Sequence, residues 1–194
     1  CELQKVVLER ERAESAEKTH AERIRALYEI AALSGLTFEQ QIAKILRLGC
    51  RLFKLDIGKV CRVNEEKSTS EFICVVAPDG CNISKDTILD LARTICSITY
   101  NLDRPLVINN MGESQYKEHP SYKNTCLETY LGTAIWVNDV KFGTINFSSF
   151  NPSGPFNESD EDLLRLIGRL VSVTLERKHA ANEIQKSKEA AESA

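Results

Sequence analysis

Seven cysteines and three histidines are the residues of this chain best suited to bind a metal, form a disulfide or act as a nucleophile. Their spacing supports none of those uses. The cysteines are Cys1, Cys50, Cys61, Cys74, Cys81, Cys96 and Cys126. They are odd in number and include no CxxC pair, so no zinc or iron–sulfur ligand pattern is present. Cys61, Cys74 and Cys96 sit in the apolar runs GKVCRV, FICVV and TICSI, where a thiol most often serves as a small buried hydrophobe. The thiols are expected to stay reduced, since no signal peptide precedes them and the chain is long enough for an ordinary core. A sensing thiol needs exposure and a positive neighbour. Cys50 beside Arg51 and Cys126 near Lys123 are the two of that kind. His20, His119 and His179 are spread along the chain. No nucleophile elbow, HExxH motif or phosphate-binding glycine loop occurs. The acid pair Asp160-Glu161 falls in the first turn of a helix, a capping position and not a cleft. No catalytic residue and no metal ligand is expected.

The bulk properties narrow the class. Apolar residues make up 42% of the chain, enough for a real core. A net charge of -3 leaves no basic footprint for nucleic acid and no polybasic strip for anionic lipid. No apolar run is long enough to span a bilayer, so no membrane contact is expected and the location is read as cytoplasmic. The start on Cys1 and the uncapped helical finish EIQKSKEAAESA lead us to expect a piece of a longer protein.

The elements that must position these residues change period along the chain. Residues from Glu2 to Leu33 read as one helix, with a seam through Leu3, Val6, Arg10, Ala13, Glu17, His20, Ile24, Leu27 and Ala31. A helix so long and polar is best explained by pairing in a coiled coil. SGLT breaks it, Thr37 caps a second helix, and Phe38 to Phe53 is amphipathic. The period then drops to two. KVCRV (59–63) and EFICVVA (71–77) form a hairpin. A strand near Thr87 to Leu91 and a short helix near Arg93 to Tyr100 follow, and Pro105 opens the strand LVINN. The stretch around QYKEHPSYKNTCLETY reads as an irregular loop. GTAIWV (132–137) and FGTINFSSF (142–150) are strands joined by Asn138-Asp139. A last helix starts near Asn157 or Ser159 and follows a seam through Leu163, Leu166, Leu170, Val173, Arg177, Ala180, Ile184, Ser187 and Ala191. The class is α+β: a central antiparallel sheet flanked by helices, with long coiled-coil helices at both ends.

The closing half, LGTAIWVNDVKFGTINFSSFNPSGPFNESDEDLLRLIGRLVSVTLERK, resembles that of a GAF domain. The family pattern there is two adjacent strands with a Gly in the second, then Phe156, Asp160 and Glu161 at the start of the last helix. ESQYKEHPSYKNTCLETYLG resembles the ligand-facing segment of GAF modules in bacterial sensor histidine kinases, cyanobacterial ones included. EIQKSKEAAESA resembles the helix that leads to their dimerisation and phosphoacceptor helices. The resemblance implies three parts: an N-terminal signalling helix (1–34), a GAF core (35–158) and a C-terminal helix (159–194) leading into a kinase linker. It implies a dimeric, non-catalytic sensory or signal-relay module of a two-component system. Its partners would be a second copy, through Leu27, Leu163, Leu166, Leu170 and Val173, and kinase domains downstream in the same chain. His179, in ERKHAAN, lacks the acidic neighbour and downstream proline of a phosphoacceptor.

The resemblance also implies a pocket on one face of the sheet, with a small-molecule ligand left open. Its expected residues are Cys74, Cys96, Tyr100, Tyr116, His119, Tyr122, Cys126, Trp136 and Asn146. In the bilin-binding branch of the family a Cys precedes the His of a Cys-His pair. Here Glu118 precedes His119, and a carboxylate forms no thioether, so no covalent bilin is expected at that position. The cyclic-nucleotide branch carries an Asn-Lys pair, whereas Asn146 is followed by Phe147. The alternative function is a tetrapyrrole (bilin or haem) photoreceptor or a redox sensor. No cofactor is assigned.

Overall fold

The computed structural model describes residues 2–32 and 35–192. Cys1, Leu33 and Ala194 lie outside the described residues, as do the side chains of Leu3, Ala13, His20 and Ala31. The helices are α1 (Glu2–Ala31), α2 (Phe38–Phe53), α3 (Ile95–Asn101), α4 (Pro120–Thr125) and α5 (Glu158–Glu192). The strands are β1 (Ile57–Asn64), β2 (Thr69–Val76), β3 (Ile88–Asp90), β4 (Leu106–Ile108), β5 (Thr129–Val137) and β6 (Val140–Ser149). They form one sheet in the order β3-β2-β1-β6-β5-β4, and every pairing is antiparallel. The α+β class, the antiparallel sheet and the long terminal helices are thus those expected from the sequence.

Local chemistry sets the element boundaries. Thr37 Oγ1 accepts from the Gln40 amide at 3.2 Å, and Gln40 Oε1 accepts from the Thr37 amide at 3.0 Å, closing a capping box on α2. Asn157 and Asp160 cap α5 by the same exchange, at 3.2 and 3.1 Å. Asn138 and Asp139 both take positive φ, 50° and 61°, as a two-residue hairpin turn between β5 and β6 requires.

Helices α2 and α5 cover one face of the sheet, and α1 packs on both of them. Phe147 of β6 sits at the centre of that core, its ring 5.2 Å from Phe53 of α2. Alternation along the strands sends Leu131, Ile135, Ile145 and Phe147 to the helices and Tyr130, Thr144, Asn146 and Ser148 to the other face. That second face is covered by α3, α4 and the irregular segments near them. Strands β1 and β6 approach so closely at Gly143 that a Cβ there would run into the Cys61 carbonyl oxygen.

The β1–β2 register shifts between Val60 and Cys61: Val60 pairs with Cys74, but Cys61 pairs with Phe72. This bulge corrects one expected pocket residue. Without it, Phe72 and Cys74 would share a face. With the extra residue Ile73 between them, Phe72 faces the second side and Cys74 joins the core under α2. The loop expected around QYKEHPSYKNTCLETY contains the short helix α4, and β5 starts at Thr129, earlier than the period suggested.

Candidate functional site

The second face of the sheet carries a cavity of about 420 Å³. Its floor is Lys59 of β1, Phe72 of β2 and Tyr130 of β5. Ile95 and Cys96 at the start of α3 form one wall, Tyr122 of α4 and Leu127 another, and β3 with Arg93 the rim. These are places where alternation aims a strand residue away from the helix core.

Lys59 is the notable group. It is 8% exposed, yet among the described residues its ammonium has no ion pair and no hydrogen bond. It lies 5.2 Å from the Phe72 ring centroid, a cation–π contact that offsets only part of its lost hydration. Around it the sheet face is polar but incompletely paired. The side-chain oxygens of Asn146 (Oδ1) and Ser148 are buried without a partner, and the Ser70 and Thr144 hydroxyls have only the Cys96 sulfur beside them.

Beneath the cavity, Cys61 of β1 and Cys96 of α3 bring their sulfurs to 3.8 Å. Asn146 Nδ2 is 3.7 Å from the first and 3.6 Å from the second. The hydrogen bond from the Cys61 thiol draws Cys96 down to about 6, burial opposing and the Lys59 charge assisting. The same hydrogen bond, then burial, push Cys61 well up. Tyr130, hydrogen-bonded to Thr99 Oγ1 at 2.7 Å, is raised by burial.

The residues expected in the pocket scatter. Cys96 and Tyr122 line it, and Asn146 lies under its floor. Tyr122 donates to Glu128 Oε1 at 2.6 Å, while Glu128 Oε2 accepts from the Gly112 amide, which fixes that wall. Tyr116 packs behind the cluster of Ile95, Met111 and Tyr130. His119 serves as the N-cap of α4, its Nδ1 accepting from the Ser121 amide at 3.1 Å. Cys126 is the exposed C-cap of the same helix. Tyr100 and Trp136 form a separate group with Lys141 at another end of the sheet, Nζ lying 5.2 and 5.1 Å from the two rings. Glu118 turns outward to Lys123 at 2.6 Å. Cys50 is half-buried and pushed up to about 11, first by burial, so it lacks the character of a sensing thiol. Lys59, Phe72 and Tyr130 are cavity residues that the sequence patterns do not mark. The signal for Lys59 was a cation inside the apolar run IGKVC.

The helical stripe divides in two. Leu27 and Leu163 are enclosed by their own chain, 3% and 1% exposed, and so offer no area to a second copy. That corrects two of the five expected interface residues. Leu166, Leu170 and Val173 are half-exposed along the flank of α5, and the stripe continues to Ile184, 59% exposed. Arg23 of α1 donates to Asp160 Oδ1 at 2.9 Å, tying the two long helices at the domain's edge. Among the described residues no helix is long and apolar enough to cross a membrane, and no group of three metal-ligating side chains converges.

The fold recurs in solved structures. The chromophore-binding domain of the bacteriophytochrome RpBphP3 from R. palustris is similar with a TM-score of 0.66 at 12% identity, over 88% of this chain and 63% of that one. The chain thus spans less than two thirds of that phytochrome fragment. The GAF domain of an Acinetobacter phosphoenolpyruvate-protein phosphotransferase gives 0.65 at 11% identity, over 86% and 96%. Free methionine-R-sulfoxide reductase from Neisseria meningitidis gives 0.66 at 12%, over 84% and 93%. At these identities the likeness shows the fold alone. No curated protein matches the sequence. Residues 37–175 match the family model for the GAF domain, and the chain belongs to that family.

Proposed function

We propose that the chain is a dimeric, non-catalytic sensory and relay module of a cytoplasmic two-component sensor histidine kinase. It binds a small molecule in the cavity over Lys59 and passes the change through α5 to a kinase core. The observation that carries this reading is the division of α5. Its first half is clamped on the sheet by Leu163, Leu164, Ile167 and Val171, all at most 1% exposed. From His179 to Glu192 every described residue is exposed. A polar helix of that length gains nothing alone in water and makes sense against a twin. A rigid rod fixed to the sheet at one end is also a suitable lever, because ligand binding moves it only through differential affinity for two positions.

The test is a fusion of a histidine kinase core after residue 192. One-residue insertions in the exposed half rotate the output by about 100° each. Autophosphorylation that rises and falls with the inserted phase supports the relay. Activity indifferent to phase contradicts it.

Glu118 stands where the bilin-binding branch has its cysteine, and it carries no thiol and pairs outward with Lys123, so no thioether forms at that position. The Cys61–Cys96 pair favours one second reading, a redox sensor. Peroxide would oxidise the two thiols to a disulfide and be reduced to water. Counting free thiols after mild peroxide treatment, in wild type and in Cys96→Ser, decides it.

A further inference from the structure

Among the described residues the cavity's ammonium makes no salt bridge and no hydrogen bond, although its charge acts on the Cys96 sulfur beside it. An ammonium taken out of water is costly unless it is paired. Lys59 is 8% exposed, with the Phe72 ring centroid 5.2 Å from its Nζ and the Cys96 sulfur within reach of its charge. The nearby acids are committed elsewhere. Asp90 on the rim accepts from the Ala92 amide at 3.0 Å. Glu71 is bound to Arg62, and Glu128 to Tyr122 and Gly112. Cys96 is engaged by Cys61 and Asn146 and makes no hydrogen bond to the ammonium. The rest of the lining is mainly apolar, with Ile88, Ile95, Met111 and Leu127 around the aromatic floor. At about 420 Å³ the space lies near the small end of the range for ligand pockets, roughly 300–1,000 Å³.

Resting on the reading of this cavity as a ligand site, we infer that it selects a small monocarboxylate with an apolar or aromatic body, its carboxylate paired to Lys59. One buried cation matches one negative charge. A phosphate carries more charge than one buried ammonium balances. The ion pair gains strength at the buried floor, and the apolar body displaces water from Phe72 and Tyr130.

Calorimetric titration with benzoate and with neutral benzamide tests this on the 194-residue chain and on Lys59→Met. Benzoate should bind at least tenfold more tightly than benzamide. Lys59→Met should lose tenfold or more for benzoate and leave benzamide unchanged. Without added ligand, the same variant should melt about 2 °C or more above wild type, since it removes an unpaired buried charge. Equal affinity for the two probes overturns the anion preference while the pocket itself stands. Binding of neither probe overturns both the preference and the pocket. A Lys59→Met variant that melts below wild type assigns Lys59 a structural role and also overturns the inference.

Discussion

His119 shows how a residue type that suggests chemistry can be taken up by structure. Its Nδ1 accepts from the Ser121 amide, so the neutral ring caps α4. Burial lowers its pKa below the ordinary 6.5. A base depressed in the fold binds fewer protons there than in the unfolded chain, so stability rises with pH. His119 therefore contributes fully above about 6.5, and its contribution falls as pH drops through the lower native value. An NMR titration of the ring should give a native pKa below 6.5, and a value above it would mean that Nδ1 is not held by the cap. Asp160 is more exacting. It caps α5 through Asn157, accepts from Arg23, and is 8% exposed. Asp160→Ala should cost about 1–3 kcal/mol, since it removes the N3 acceptor of the Asn157 amide and the partner of Arg23. Denaturant unfolding measures it, and a change within about 0.5 kcal/mol, the usual range for surface substitutions, would deny Asp160 that role. Lys59 was readable only in part. Its charge within IGKVC is plain in sequence, but whether that strand face meets a cavity depends on where α3 and α4 settle.

Elements with a strong local code were the legible ones. Helix α2 announced itself by the Thr37 cap and apolar steps, and the β5–β6 hairpin by period two around Asn138-Asp139. The β1–β2 bulge has no such code. One extra residue in a strand leaves composition and hydropathy unchanged, and it still moved Cys74 to the opposite face. Helix α4, six residues long, is too short to display a period. At Gly143 the constraint is between elements: any side chain would strike the β1 backbone. Backbone cannot step aside as a side-chain tip can. Gly143→Ala should cost more than about 2 kcal/mol, near the upper range for single substitutions. Thermal unfolding by circular dichroism checks it, and an unchanged melt would mean that β1 and β6 are not so closely set.

The molecule as a whole is a sheet with two differently used faces. One is a dry core that grips α1, α2 and α5. The other is a polar, under-satisfied surface with a cavity and a cation that makes no salt bridge among the described residues. Natural folds tolerate such frustration where binding relieves it. Because Glu118 is turned outward and bears no thiol, protein purified from cells making bilins should have a flat visible spectrum, and a bound band would overturn that reading. The gripped face matters through α5, whose Leu166, Leu170 and Val173 flank stays half-exposed in the single chain. Sedimentation equilibrium of wild type beside Leu170→Glu tests the dimeric relay most directly. Wild type should sediment as a dimer and the variant as a monomer with an unchanged far-ultraviolet spectrum. A monomeric wild type, or a variant that stays dimeric, would contradict it.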